Sequence, residues 1–505
     1  MKSSLKNALA AIGLCSLVSA LIGCQSTDRP AAPVSEGAAI ISSAPYAVGS
    51  STIFIHDDSR PFDTVAGVNS GVRTLITEIW YPVAHADITD SSIRATYGDY
   101  VFGNRTIHHK MLTQTTFFHL TQDTVREGVT AVEIEQAIDE LFSRPRGSYI
   151  DAPILKGVQP LPVVVMSHGD AGSRYNMQTV CEHLASQGYI VVAPEHTGNS
   201  PYTMIGMDPA LDEKSGNPVF RRHMAEVLLL LDEQGAYGDD EHFGQSYSPL
   251  GDSLDIAGFV DLDHSLVERV NDLRAVLNTL DDMNEQGAFT GRIDPSRIGL
   301  MGRSFGGATT LAGLMLEDRF VAGFAVVPPS LPDPRALMPQ EMLVKLPQES
   351  AILAAEGSFA LDTLHKPTLL LSGGEDHLIL GMGYQMATMM EGTLPTADNP
   401  YPILKQAMDK SEVPAVMAIV QNTNHGSFGV AAPYWWPLLK PDTFPMFFDN
   451  SRQYTLLEAD IAHQIQQDMA LAFFNFNLRG DQSGAELLRE NPWQAHETQV
   501  EVRGF

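Results

Sequence analysis

A chain of 505 residues that is 44% hydrophobic and 18% charged can bury a large core, as one elaborated domain or two, and is not a disordered polymer. Its 61 acidic against 32 basic side chains give a formal net charge of -29 with no cluster of Lys or Arg to offset it, which excludes nucleic acid and other polyanions as partners. Three cysteines, Cys15, Cys24 and Cys181, exclude a disulfide framework.

The amino terminus reads as a targeting segment. Lys2 and Lys6 are its basic part, Leu9 to Ile22 its apolar part, and Leu21-Ile22-Gly23-Cys24 resembles the lipobox of a bacterial lipoprotein signal. The resemblance implies cleavage after residue 23, acylation of Cys24, and a location in the bacterial cell envelope. Gln25 in place of Asp after the cysteine fits sorting to the outer membrane. A plain secretory signal with an incidental Cys24 is the alternative. Residues 24–50, rich in Ser, Ala and Pro without an apolar period, read as a flexible tether. No other apolar run is long enough to span a bilayer, so the chain is expected to be anchored to a membrane without crossing it.

The catalytic domain is expected over 51–480. Thr52 to His56 and Arg73 to Pro82 read as antiparallel strands around a turn at Gly67 to Gly71, and Val129 to Leu141 has helical spacing; the rest of Ala84 to Ile154 gives no assignment. Leu161 to Ser167 is a continuous apolar run of the kind a strand buried on both faces needs, followed by the glycine turn His168-Gly169-Asp170. A helix follows with Met177, Cys181 and Leu184 on one face, which makes Cys181 a core residue. Gly188 ends it, and Tyr189 to Ala193 is another buried strand. This alternation predicts a mostly parallel central sheet flanked by helices. Residues 199–257, with one helical piece at His223 to Glu233, form an insertion long enough to act as a lid. Phe259 to Leu280 is an amphipathic helix, and Asp294 to Arg297 is a turn leading to the strand at Ile298. Val321 to Val327, Pro367 to Ser372 and Ala415 to Val420 complete the sheet. The helix Leu456 to Leu478 closes the domain at Arg479-Gly480, and 481–505 reads as a loosely held polar tail.

Gly302-Arg303-Ser304-Phe305-Gly306 is a G-x-S-x-G set between an apolar strand and a helix of small residues, which is the setting a nucleophile elbow requires. A serine there needs a base, and the base an orienting acid. Asp376 follows the strand ending at Ser372, and His425 follows the next one. The order Ser304, Asp376, His425 is that of the α/β-hydrolase fold. Glu375 is the nearest rival acid and His377 the nearest rival base. Backbone N–H groups of Phe305 and Asp170 are the candidates for an oxyanion hole. The aromatic-rich stretches Tyr434 to Leu439 and Phe444 to Phe448 either wall an acyl pocket beneath the insertion or pack under their own loops.

Ser167-His168-Gly169 with Gly172-Ser173-Arg174, Val191 to His196, Gly302 to Gly307 and Leu471 to Phe474 resemble the bacterial proteins grouped as predicted dienelactone hydrolases. They are also similar to the platelet-activating factor acetylhydrolases, which share the Ser-His-Gly loop and Gly-x-Ser-Phe-Gly-Gly. The resemblance spans roughly Thr74 to Gly480 and implies a serine esterase or lipase that acts on a small-molecule ester or lipid, with no cofactor and no metal. Arg303 stands where those families have His. The acetylhydrolases' acid follows the strand after the serine, where this chain has Val327-Pro328-Pro329, and true dienelactone hydrolases carry a cysteine nucleophile. The expected activity is therefore cleavage of carboxylic esters at Ser304, with a phospholipid acetylhydrolase or a non-catalytic binding lipoprotein as the alternatives.

Overall fold

The computed structural model describes residues 44–63, 72–100, 128–200, 256–329, 363–389, 392–430 and 443–505. The expected signal at 1–23, Cys24, the Gly67 to Gly71 turn, the His223 to Glu233 helix, most of the 199–257 insertion, and Trp435 and Trp436 lie outside these residues. In chain order the strands are β1 (Ala47–Asp57), β2 (Arg73–Val83), β3 (Arg94–Thr96), β4 (Pro145–Ile150), β5 (Leu161–Ser167), β6 (Ile190–Pro194), β7 (Ile293–Arg303), β8 (Phe320–Val326), β9 (Thr368–Gly373), β10 (Ala415–Val420), β11 (Phe444–Pro445), β12 (Gln453–Tyr454) and β13 (Thr498–Arg503). The helices are α1 (Ala131–Ser143), α2 (Gln178–Ser186), α3 (Ile256–Glu285), α4 (Phe305–Leu316), α5 (His377–Met389), α6 (Pro402–Lys410), α7 (Ala459–Arg479) and α8 (Gln482–Glu490).

Eleven strands make one sheet in the order β13-β10-β9-β8-β7-β5-β6-β2-β1-β4-β3. The run from β6 to β10 is parallel, as the strand–helix alternation requires, while β2 joins β6 and β13 joins β10 antiparallel. Period-two side-chain alternation divides the apolar strands between two faces. Val164, Met166, Val191 and Met301 face α1, α2 and α7, and Cys181 is buried among them, as its helical position predicts. Val163, Val165, Val192 and Leu300 face α3 together with Leu273 and Leu277.

Helix ends follow local chemistry. Thr130 and Glu133 form a reciprocal capping box at the start of α1. Gly480, in the left-handed region at φ 71°, stops α7 where Arg479-Gly480 predicts it.

The structure corrects two expectations and adds elements in a stretch without a sequence assignment. Residues 481–505 are not a loose tail: Asp481 caps α8, Trp493 is buried, and β13 pairs with β10 over six residues. Thr498-Gln-Val-Glu-Val-Arg alternates so that Val500 and Val502 pack on the core cluster, which is the signature of a one-sided edge strand. Asp294 to Arg297 lies inside β7, although the pairing register shifts between Ile293 and Ile298 and Asp294 accepts the Ser296 N–H in a local turn. The unassigned stretch before Ile154 contains β3 and β4, which extend the sheet beyond β1. Asn199 and Ser200, at the start of the expected insertion, are fully buried.

Candidate active site

β7 enters the site between β5 and β8, and its end turns sharply into α4. Gly302 and Gly306 make that turn possible. A Cβ on Gly302 would stand 2.2 Å from the Gly306 carbonyl oxygen, and one on Gly306 would stand 2.0 Å from that of Ser167, so neither position admits a side chain. Ser304 sits between them at φ 58°, ψ -124°, a conformation rare for a non-glycine residue. Its N–H donates to the Val326 carbonyl at 2.8 Å and its carbonyl accepts from Gly307 and Ala308, so the neighbouring β8 and the first turn of α4 hold the strain in place.

The parallel topology brings two further strand ends to the same edge. Asp376 lies after β9, fully buried, and its Oδ1 accepts the Ile379 N–H at 3.1 Å. His425 lies after β10 at the start of a short 3-10 turn that Asn424 and Ser427 cap reciprocally. The Glu375 N–H donates to the Thr423 carbonyl at 2.9 Å, which ties the acid loop to the histidine loop. His425 Nδ1 is 2.8 Å from Asp376 Oδ2, and its Nε2 is 3.0 Å from Ser304 Oγ. The structure therefore joins the three residues singled out in the sequence into one hydrogen-bonded chain. With Nδ1–H donating to the carboxylate, Nε2 is left as an acceptor facing the hydroxyl. The rivals point elsewhere. Glu375 Oε2 accepts the Phe447 N–H at 2.7 Å, and His377 Nε2 lies 3.0 Å from the Pro445 carbonyl. Phe444 is buried against Tyr454, and Phe447 packs edge-on against His377 and Phe448, so this aromatic stretch braces the acid loop.

Arg303, in the elbow itself, is almost wholly buried. Its Nη2 donates to the His425 carbonyl, and its guanidinium lies across Gly429, where an added Cβ would meet Nε at 3.1 Å. Burial brings this guanidinium down to about 10 against the pull of Asp376. Burial also lowers the His425 pKa, Asp376 raises it, and Arg303 lowers it again, with a net shift below the ordinary histidine value of 6.5.

A second Ser–His–Asp chain lies directly beneath. Ser167 Oγ is 2.9 Å from His196 Nε2, and His196 Nδ1 is 3.0 Å from Asp272 Oδ2. Chemically it is a different object. All three residues are fully buried, and Asp272 is already paired with Arg73 at 2.7 Å and Arg60 at 2.9 Å. Burial alone would raise the Asp272 carboxyl, but these two guanidinium groups hold it well below the usual carboxylate range. Burial and then Arg269 push His196 down to about 4, which makes it a poor base.

Beside Ser304, the loop after β5 is held by α3. A Cβ on Gly169 would stand 3.1 Å from that of Ser304, so this loop borders the nucleophile position. Arg269 of α3 donates to the carbonyls of His168 at 2.7 Å and Gly169 at 3.2 Å. No sequence motif marks Arg269 or Asp272, and Asn199 stands out only as the first residue of the expected insertion. The available signal was two oppositely charged residues three positions apart, alternating with Val270 and Leu273 on the apolar face of α3, where charge is tolerated only when it is paired.

The sheet order and the strand-end serine, acid and histidine define an α/β-hydrolase fold. The structure of a ferulic acid esterase from Streptomyces cinnamoneus superimposes with a TM-score of 0.51 at 20% identity, covering 91% of this chain and 97% of that one. In sequence, residues 136–332 match the family model of platelet-activating factor acetylhydrolase, isoform II. The platelet-activating factor acetylhydrolase of Gallus gallus is 28% identical over 171 residues, 33% of this chain and 38% of the relative. That of Canis lupus familiaris is 29% identical over 177 residues, 35% of this chain and 36% of the relative. The chain thus spans well under half the length of the curated relatives it matches. The family match contains the Ser304 elbow and the Gly169 loop but ends before Asp376 and His425.

Proposed function

We propose that the protein is a serine esterase that cleaves carboxylic esters, a reading carried by the hydrogen-bonded chain from Ser304 through His425 to Asp376 at the strained end of β7. His425 Nε2 takes the Ser304 proton as Oγ attacks the ester carbonyl. The developing oxyanion is received by the N–H of Phe305, at the positive end of α4, and by that of Asp170. His425 then hands its proton to the departing alcohol, leaving an acyl group on Ser304. Water, deprotonated by the same nitrogen, releases the acid and regenerates the serine. Asp376 keeps the imidazole in the tautomer both steps need. These steps involve neither metal nor cofactor.

Hydrolysis of p-nitrophenyl acetate and butyrate by the soluble form beginning after Cys24 tests the reading. An alkyl fluorophosphonate should label Ser304 and leave Ser167 untouched, because the latter is inaccessible and its histidine is a poor base. A folded protein that neither turns over these esters nor takes the label would instead be a binding protein on a hydrolase fold.

A phospholipid acetylhydrolase is the second reading, favoured by the family match at 136–332. The acid position counts against it: Val327-Pro328-Pro329 follows β8, and the acid comes one strand later. Activity confined to short-acyl phospholipids would establish it. Anchoring through Cys24 in the outer membrane belongs to the same proposal. Among the described residues no helix is long and apolar enough to cross a membrane. Membrane fractionation should recover the wild type, and Cys24→Ser should release it or leave it unprocessed.

The pH profile gives a further check. His425 must be neutral to act, so kcat/KM should fall as pH drops through its pKa, with the acid limb below 6.5. Arg303→Gln removes a charge that favours the neutral form, so the limb should move to higher pH. An unchanged limb in this variant would show that Arg303 does not tune the base.

A further inference from the structure

We propose that Arg269 is a positioning residue for the oxyanion hole, setting with one guanidinium the spacing between the Gly169–Asp170 peptide and the first turn of α4; this rests on the serine-esterase reading. Arg269 is fully buried, and its fork reaches both halves of the site. Nη1 donates to the His168 carbonyl at 2.7 Å and to Thr309 Oγ1 at 3.2 Å, which joins the loop to α4. Nη2 donates to the Gly169 carbonyl at 3.2 Å and to Asn199 Oδ1. Asn199 Nδ2 in turn donates to Asp170 Oδ1 at 2.7 Å. The guanidinium carbon also lies 4.7 Å from the centre of the Phe305 ring, so Arg269 touches one of the residues whose N–H groups would receive the oxyanion and reaches the other, Asp170, through the Gly169 carbonyl and Asn199.

The covalent geometry of the peptide explains why this contact matters. In a trans peptide the C=O of Gly169 and the N–H of Asp170 point in opposite directions. Tying that carbonyl to Arg269, with His168 Nδ1 also donating to it at 2.6 Å, therefore fixes the direction of the Asp170 N–H. A cation on the carbonyl side polarises the peptide and strengthens its N–H as a donor. Lysine could supply the charge but not the fork, because a single ammonium cannot reproduce a planar group that spans two carbonyls and a hydroxyl.

The experiment uses p-nitrophenyl acetate and an alkyl trifluoromethyl ketone. Addition of Ser304 Oγ to the ketone carbon forms a C–O bond and an oxyanion, with the serine proton held on His425. Arg269→Lys and Asn199→Ala should each lower kcat about 10- to 100-fold, part of the 10²–10³ lost when one oxyanion donor is removed, with KM within about threefold. Affinity for the trifluoromethyl ketone should fall in proportion to kcat/KM. Affinity for the matching methyl ketone, which does not form the adduct, should hold. Wild-type kcat in the folded variants overturns the proposal, as does an equal loss of affinity for both ketones. Should Arg269→Lys fail to fold, Asn199→Ala, which keeps the cation, decides alone. A wild type that neither turns over ester nor takes the fluorophosphonate label defeats the esterase reading itself, whereas an active wild type with unaffected variants defeats only the role of Arg269.

Discussion

Ser304→Ala is expected to lower kcat for a p-nitrophenyl ester by about 10⁶ while the protein stays folded, since removing the nucleophile of such a unit leaves only the contribution of binding and the oxyanion donors. The structural argument for an intact fold is specific. The substitution deletes Oγ alone and keeps the Cβ, and alanine meets the same positive φ that serine already occupies, so no new strain is introduced. The hydrogen bond lost is the one to His425 at 3.0 Å. Steady-state kinetics with circular dichroism and a melting curve on the same preparation check both halves. Residual activity of even one part in a hundred would place the nucleophile elsewhere.

Asp376→Asn should cost about 10⁴ in kcat through the wrong imidazole tautomer, again with the fold retained. Asn can keep its oxygen toward the Ile379 N–H, the bond that Asp376 Oδ1 now accepts. Its NH2 then faces His425 Nδ1, where only a lone pair can meet it. The ring proton moves to Nε2 and points at Ser304, and the base is lost. The neighbouring Glu375 offers no substitute while it receives the Phe447 N–H. An undiminished rate in Asp376→Asn would transfer the acid role to another carboxylate.

The parts of the site legible in the sequence share one physical trait, a polar residue placed within a few positions after a short apolar run. Ser304, Asp376 and His425 each follow such a run because a parallel strand buried on both faces must be apolar throughout, and its end is where the chain can first present chemistry. Arg269 and Asp272 carried no such mark. Their charges sit within an amphipathic helix, and the partners that make burial tolerable, among them Arg73 and the carbonyls of His168 and Gly169, are distant in sequence. β13 is hard to read for the opposite reason: four of its six residues are polar, so two alternating valines leave a faint signal that only pairing with β10 makes a strand.

β10 is the strand that leads into His425, and β13 pairs along its other side, opposite β9. Without β13 the outer side of β10 would be an open edge with unpaired backbone groups, ready to join another chain. Phe505, shortly after β13, packs on Phe473 and Phe476 of α7. Loss of a short C-terminal piece would leave every site residue present in the sequence and yet loosen the histidine strand. The ester turnover proposed at Ser304 would thereby depend on an edge strand nearly two hundred residues away in sequence.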